Sequence, residues 1–261
     1  MEDTVSDTPQ GVEEPRREAP LVSILCVLLN AAGPARPLLE SIVANLDDNC
    51  ELVIIDGGST DGTLEVIEEF APHIAYWVSE PDRGLYHAMN KGIAAARGEY
   101  ILHVNAGDTL LHIPTAELRE CLRDGIQVAC FRVYHDDVLF QPRTGFWMKI
   151  DNVWHHQGTF YRRVSHPGYD ESYPVFSDMN ANQRMLRAGY RVRIFPGLVA
   201  THLHNGASTS RAHFGEVYRT IRLTFGAIYV PIAFCWFKYK GIRRRLRLLR
   251  RFLARAGAGA S

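Results

Sequence analysis

Three aspartates occupy the same kind of position in this chain, each just past a short apolar run of strand length. Residues 51–55 lead into Asp56, Gly57 and Gly58, residues 74–78 into a polar loop that carries Asp82, and residues 100–104 into Asn105, Ala106, Gly107 and Asp108. In an open parallel α/β sheet, ligands sit outside the carboxyl ends of the strands, so these acids fall along one rim. Asp56 can there accept hydrogen bonds from a base or ribose, or it can simply form a turn before Gly-Gly. A rim of carboxylates repels phosphate but suits a hydrated divalent cation that in turn holds phosphates. Mg2+ and Mn2+ prefer such oxygen ligands and usually need only one or two carboxylates. Chemistry is also concentrated further along. The run WHHQGTFYRR, residues 154–163, sets His155, His156 and Gln157 side by side, and Asp178 opens a helical pattern that ends at Gly189. By local context alone, Asp178 reads as a helix cap or first-turn acid. His202 and His204 share one face of a short strand over residues 199–203, a spacing that can chelate a cation.

These residues need a sheet to present them. Residues 21–29 form a near-continuous apolar run, read as the first central parallel strand, and a helix over residues 36–46 leads back to the second. Ser59, Thr60 and Asp61 can cap a helix starting near Gly62, and an alanine-rich helix covers about residues 86–97. Beyond Asp108, a helix over residues 115–123 precedes a strand over residues 127–134. A loop-rich section with Phe140, Phe146, Trp147, Met148 and Trp154 follows, whose aromatics suit core or lid packing, or stacking on sugar rings. No Gly-X-Gly-X-X-Gly follows the first strand and no P-loop is present, which counts against a nicotinamide-binding Rossmann domain.

The run from Glu51 to Asp108 resembles the nucleotide-binding half of family 2 glycosyltransferases, enzymes of the GT-A fold. EPDRGLYHAMNKGIAAARGEYILHVNAGD is similar above all to members that build bacterial capsule and exopolysaccharide chains, the colanic-acid type. The resemblance implies that Asp56 and Asp82 hold the nucleoside, with Arg83, Asn90 and Lys91 completing the nucleotide site. The family's metal-binding Asp-X-Asp maps to Asn105 through Asp108. Its first acid is missing, which leaves Asp108 as the ligand of Mg2+ or Mn2+. His204 is a further metal ligand by analogy with GT-A enzymes that use a C-terminal His. Asn105, His156 and Gln157 fall in the donor and acceptor pocket. FSDMNANQRMLRAG, residues 176–189, looks like the stretch whose first acid is the catalytic base, which makes Asp178 the proton acceptor, and Asn180 stands where a second acid is common. Residues 205–208 resemble the family's Gly-Gly-hydroxyl turn. His87 stands where the pattern has an acid, and no role follows for it from the sequence.

The chain has 261 residues, 46% of them hydrophobic, which suits one large α/β domain or two small ones. Five cysteines without a Cys-X-X-Cys pair argue for reducing cytosol and against a disulfide scaffold or zinc site; Cys26, Cys121, Cys130 and Cys235 read as small buried hydrophobes. Equal totals of 29 basic and 29 acidic residues conceal an asymmetry. Residues 1–20 are acidic and proline-broken, read as a disordered tail without a secretory signal. After Glu216 there is no acid at all, while Lys238, Lys240, Arg243, Arg244, Arg245, Arg247, Arg250, Arg251 and Arg255 crowd the end. Residues 225–237 are apolar but shorter than the roughly 20 needed to span a bilayer. An in-plane helical, basic anchor on anionic lipid fits them. Arginine runs also bind nucleic acid, but no nucleic-acid module accompanies this one.

The reading is therefore an α/β protein of GT-A type, with a mostly parallel central sheet flanked by helices and a C-terminal helical, membrane-associating extension. Residues 21–220 form the glycosyltransferase domain, with a nucleotide-binding half (21–110) and an acceptor half (111–220), and residues 221–261 form the extension. The expected activity is inverting transfer of a sugar from a nucleotide-sugar donor to a hydroxyl of a lipid-linked saccharide, in cell-surface polysaccharide synthesis on the cytoplasmic face of the plasma membrane. Two alternatives stand beside it. A sugar nucleotidyltransferase would need a basic, glycine-rich first loop that residues 30–34 lack, and a non-catalytic membrane-associated binding protein is suggested by the missing acids at Asn105 and Asn180.

Overall fold

The computed structural model describes residues 19–135, 138–202 and 213–258, with backbone alone for residue 244 and residues 247–258. The acidic tail expected over residues 1–20 falls almost wholly outside the described residues. The strands are β1 (Val22–Leu28), β2 (Cys50–Asp56), β3 (Tyr76–Ser79), β4 (Tyr100–His103), β5 (Asp108–Leu110), β6 (Val128–His135), β7 (Val138–Phe140), β8 (Thr159–Arg162) and β9 (Val192–His202). The helices are α1 (Ala32–Val43), α2 (Thr63–Glu69), α3 (Leu85–Ala95), α4 (Thr115–Arg123), α5 (Ser177–Arg187), α6 (Phe214–Phe225) and α7 (Tyr229–Ala258).

The strands form one sheet in the order β3-β2-β1-β4-β8-β6-β9-β5, with β7 on β6. Every β1 residue is buried, because helices cover both faces. Ala35, Leu38, Leu39 and Ile42 of α1 pack on one side, and Tyr86, Ala88, Met89 and Gly92 of α3 on the other. The sheet is mixed rather than mostly parallel. β1, β2, β3 and β4 pair in parallel, whereas β8 runs antiparallel to both β4 and β6, and β5 runs antiparallel to β9. The reversal follows from the connection, since the chain passes from β6 to β8 with 3-10 turns and no α-helical crossover.

A third cluster lies beside the sheet. Ile150, Met179, Val217, Ile221 and Ala233 pack together, and Trp147, Trp236 and Phe237 close around them. It joins α5 to α6 and to the first half of α7. The expected boundary at residue 220 therefore falls inside α6, and the start of the C-terminal extension packs as part of the domain. Cys26, Cys121 and Cys130 are buried as expected, but Cys235 is exposed because it lies on the outer face of α7.

One buried carboxylate pins the start of the sheet. Glu51 accepts hydrogen bonds from the Ser23 hydroxyl (2.6 Å), the Arg97 amide (2.6 Å) and guanidinium (2.9 Å), and the Gly98 amide (3.2 Å). Gly98 is required there, because a Cβ would stand 2.5 Å from the Ser23 amide nitrogen. Burial disfavours the Glu51 charge, but the Ser23 and Arg97 bonds outweigh it and hold the carboxyl below its ordinary range. A depressed folded pKa means stability that is present at neutral pH and lost as pH falls through that pKa. Glu51→Gln should thus cost about 1–3 kcal/mol at neutral pH, with the gap from wild type closing in acid. Urea denaturation of both proteins across a pH series checks this, and a gap that does not narrow in acid would count against it.

Candidate active site

Asp56 ends β2 and is completely buried. Its carboxylate accepts from the Gly58 amide (3.0 Å), the Ser59 amide (2.8 Å) and hydroxyl (2.5 Å), and the Ser79 hydroxyl (2.7 Å). Both oxygens are thus engaged within the protein, and the loop they hold satisfies a neighbour. The Asn30, Ala31 and Ala32 amides donate to Ser59 Oγ, Thr63 Oγ1 and Asp61 Oδ2. The Ser-Thr-Asp segment therefore serves the amino end of α1 as well as that of α2, where Asp61 Oδ1 accepts from the Thr63 amide at 3.1 Å although the N-cap position itself is Gly62 in the left-handed region.

Asp82 is organised differently. Its Oδ1 contacts Lys91 Nζ and His87 Nδ1 (3.0 Å), while its buried Oδ2 has no partner among the described residues. Gly57 lies beside that free oxygen, with a Cβ position 3.4 Å from Asp82 Oδ2 and 3.3 Å from the exposed Leu29 side chain. Lys91 also pairs with Glu80 (2.9 Å); burial works against its charge, and the two acids more than offset this and raise its pKa. His87, without a role in the sequence, is here a partner of Asp82. Arg83 reaches Glu171 (2.9 Å) and is mostly exposed. Asn90 bonds the backbone of Tyr169 in both directions, at 2.9 and 2.8 Å, and so ties α3 to the loop before α5.

The second half of the rim gathers around Asp108, which opens β5 opposite His202 of β9. Asp108 Oδ2 accepts from the Asn105 amide (2.8 Å), and Oδ1 lies 2.6 Å from His202 Nδ1 and 3.4 Å from Gln157 Nε2. Gln157 Oε1 is buried without a partner among the described residues. Carboxylate, imidazole and a spare amide oxygen form a donor set that fits Mg2+ or Mn2+ once phosphate and water complete the shell. No three His, Cys, Asp or Glu among the described residues form a closed metal centre. His204 and residues 205–208 lie outside the described residues.

His156 links this group to Asp178. Its Nε2 lies 3.5 Å from Asn105 Nδ2 and its Nδ1 lies 3.8 Å from Asp178 Oδ2. Asp178 sits in the first turn of α5 but makes no capping hydrogen bond. Glu216 of α6 meets that end of the helix instead, accepting from the Val175 and Phe176 amides at 2.9 and 3.0 Å. Asp178 faces Asn152, whose Nδ2 donates to Oδ2 at 2.7 Å, and Tyr86. Burial, then the Asp178 charge, pushes the Tyr86 phenol well above its ordinary pKa. Behind His156, burial and the neighbouring imidazoles drive His103 and His155 well below theirs, so both are neutral. Asn152 belongs to no motif that the sequence singled out, and Tyr86 and His103 lie within the run over residues 80–108 without having been given a role there; only the folded chain brings the three together.

Asp82 with an oxygen unpartnered among the described residues, the Asp108 group and the Asp178 carboxylate on the far side of His156 thus share one rim. The glycosyl transferase family 2 model matches residues 23–179. The chain is 30% identical over 224 residues to a PGL/p-HBAD biosynthesis glycosyltransferase of Mycobacterium bovis, covering 78% of this chain and 81% of that one. It is also 36% identical over 93 residues to the putative glycosyltransferase EpsH of Bacillus subtilis, covering 35% of this chain and 27% of that one. Among solved structures, a mannosyltransferase from Pyrobaculum calidifontis in complex with GDP-Man and Mn2+ superposes with a TM-score of 0.61 at 20% identity, covering 87% of this chain and 73% of that one. S. aureus TarS in complex with UDP-GlcNAc gives a TM-score of 0.61 at 16% identity, covering 78% and 66%.

The fold is GT-A-like. The chain belongs to glycosyltransferase family 2. The relatives that match it over most of their length are of the PGL/p-HBAD type rather than the capsule or colanic-acid type that the resemblance suggested.

Gly158 sets where His156 and Gln157 stand. A Cβ there would lie 2.6 Å from Val133 Cγ1 and 2.8 Å from the Phe131 carbonyl oxygen, so only glycine lets this turn lie against β6. Gly158→Ala should cost about 1–3 kcal/mol and lower sugar transfer further than the melting shift explains. Calorimetry paired with a donor-consumption assay reads both; wild-type values in each would refute the assignment.

Proposed function

We propose that the protein is an inverting glycosyltransferase that passes a sugar from a nucleotide-sugar donor to a hydroxyl of a lipid-linked saccharide, working as a peripheral protein on the inner face of the plasma membrane. The observation that carries the reading is the position of Asp178, a first-turn carboxylate of α5 that is held by Asn152 and lies 3.8 Å from the His156 ring that borders the Asn105–Asp108 segment. Asp178 accepts the proton of the acceptor hydroxyl as that oxygen attacks the anomeric carbon from the face opposite the leaving diphosphate, and a single displacement inverts the centre. Asp82 offers its free oxygen to an N–H or hydroxyl of the nucleoside, while Asp56 shapes the loop that borders it. Lys91 and Arg83 supply positive charge near the phosphates. Asp108, with Gln157 and His202 or His204, would hold Mg2+ or Mn2+, which supplies charge neutralisation for the departing diphosphate. The complexes of the two solved neighbours with GDP-Man and Mn2+ and with UDP-GlcNAc support a nucleotide-sugar donor and divalent-metal use.

The acceptor side rests on α7. Ala233, Trp236 and Phe237 pack inward, whereas Ile228, Ile232, Cys235, Tyr239, Ile242 and Leu246, spaced by three or four residues, form an exposed stripe. Exposed Lys238, Arg243 and Arg245 flank it. No helix among the described residues is long and apolar enough to cross a membrane. An apolar stripe edged by cations suits the surface of an anionic bilayer, with each cation near the lipid contributing about 1 kcal/mol. Such seating would hold the catalytic rim near a carrier-bound glycan, in cell-surface polysaccharide or glycolipid synthesis.

Asp178→Asn should fold, bind nucleoside diphosphate normally and transfer about 10²–10⁴-fold more slowly. Activity within a few-fold of wild type would remove Asp178 from the role. For the metal, a thermal-shift panel of UDP and GDP with and without Mn2+ should show metal-dependent stabilisation in wild type that Asp108→Asn abolishes. For the membrane, replacing Ile228, Ile232 and Ile242 by Ser should weaken binding to phosphatidylglycerol vesicles at both low and high salt, while Gln at Arg243 and Arg245 should weaken it mainly at low salt. Equal vesicle binding by all three proteins would refute the docking face.

A further inference from the structure

The site holds one hydrogen-bond chain that the proposed reaction does not itself require. Tyr161, fully buried, donates its hydroxyl proton to Asn182 Oδ1 at 2.9 Å. Asn182 Nδ2 donates to Asn152 Oδ1 at 3.0 Å, and Asn152 Nδ2 donates to Asp178 Oδ2 at 2.7 Å. The direction of the chain is fixed by a carbonyl. The Asn182 amide nitrogen also donates to the Trp154 backbone oxygen at 3.3 Å, and that oxygen can only accept. Nδ2 of Asn182 must therefore face Trp154 and Asn152, so the Asn152 amide presents its oxygen to Asn182 and its N–H to Asp178. An N–H aimed at a carboxylate oxygen is satisfied by the ionised acid.

The other oxygen of Asp178 is left for chemistry. Tyr86 lies 3.3 Å from Oδ1, but its hydroxyl carries a single hydrogen and sits 2.5 Å from the Val175 carbonyl oxygen, which needs that hydrogen. Oδ2 is thus anchored by Asn152, and Oδ1 is the oxygen that accepts no N–H among the described residues.

The residue before Asn152 faces the other way. Asp151 is buried, and its Oδ2 accepts from the Trp236 indole N–H at 2.8 Å and from Lys240 Nζ at 2.7 Å, both on α7. Trp236 also lies against Trp147, with ring centroids 4.6 Å apart. Two consecutive side chains therefore connect the base to the helix that carries the exposed apolar stripe.

We propose that Asn152 is the positioning residue that orients Asp178 and leaves its Oδ1 as the proton acceptor, and that Asp151 makes this orientation depend on the seating of α7. The inference rests on the glycosyltransferase reading of Asp178. It gives the C-terminal helix an effect on turnover as well as on location, because any shift of α7 pulls on the loop that aims the base.

The test uses the full-length protein and a panel of UDP-, GDP- and dTDP-hexoses, with nucleoside diphosphate release as the assay. Asn152→Ala should lower kcat by about 10- to 100-fold, as misplacing a reacting group does, with donor KM and stabilisation by UDP or GDP near wild type. Asn152→Asp, which keeps the shape and the bond from Asn182 but turns an oxygen toward Asp178, should lower kcat at least as much; it decides the matter if the alanine variant is poorly folded. Trp236→Phe with Lys240→Met should also lower kcat. Adding that pair to Asn152→Ala should cause no further loss, since the latch acts through Asn152. A kcat within two-fold of wild type in Asn152→Asp would overturn the inference, as would losses that multiply fully in the combined variant. Wild-type turnover that is insensitive to Asp178→Asn would instead overturn the assignment of the base, and the inference with it.

Discussion

The structure turns on a buried charge that water cannot reach. Asp56 sits at the end of β2 with no exposed surface, and a carboxylate in that position is tolerable only if its oxygens are fully hydrogen-bonded. The chain meets the requirement with two amides and two hydroxyls, from Gly58, Ser59 and Ser79. Meeting it fixes the loop after β2 and joins it to the end of β3. The same loop then satisfies the first amides of α1, which otherwise lack acceptors. The shape of the nucleotide half therefore follows from one desolvated acid. Asp82, by contrast, keeps an oxygen without a partner among the described residues, whereas both oxygens of Asp56 are already engaged.

The far half of the rim depends on the sheet changing character. β8 enters antiparallel between β4 and β6, and this delivers the turn bearing His156 and Gln157 to the end of β4, beside Asn105. β5 and β9 pair so that Asp108 meets His202. A purely parallel sheet, with a helical crossover between successive strands, would have no such return strands to bring these side chains to Asp108. The mixed sheet thus brings the Asp108 group beside His156 and, through it, Asp178.

How far the sequence discloses this depends on length and burial. β1 and β2 are continuous apolar runs and α4 has a clean amphipathic period, so their positions can be read directly, as can the three acids that follow strands. β5 and β8 are three and four residues long, too short for period or propensity to distinguish them from loop. β9 is visible only in its buried second half, because Pro196 and Gly197 interrupt an exposed first half. Asn152 carries no signal at all, since nothing local to it depends on Asp178. The role of His87 depends on Asp82, five residues away across a turn whose geometry only the fold supplies.

A carboxylate at the amino end of a helix faces competing demands. The helix has unsatisfied amides there, and its dipole draws the carboxylate toward them, which would turn the acid into a cap. Around Asp178 there are partners from outside the helix as well. Glu216 supplies acceptor oxygens to the Val175 and Phe176 amides just before α5, and Asn152 draws Asp178 away from the helix axis. Glu216 stands on α6, which packs with α7 and α5 around Met179, Val217, Ile221 and Ala233. The setting of Asp178 therefore depends on the three-helix packing as well as on α5 itself. The C-terminal helices are not a detachable appendage, because the contacts that seat them also hold the segment that leads into α5.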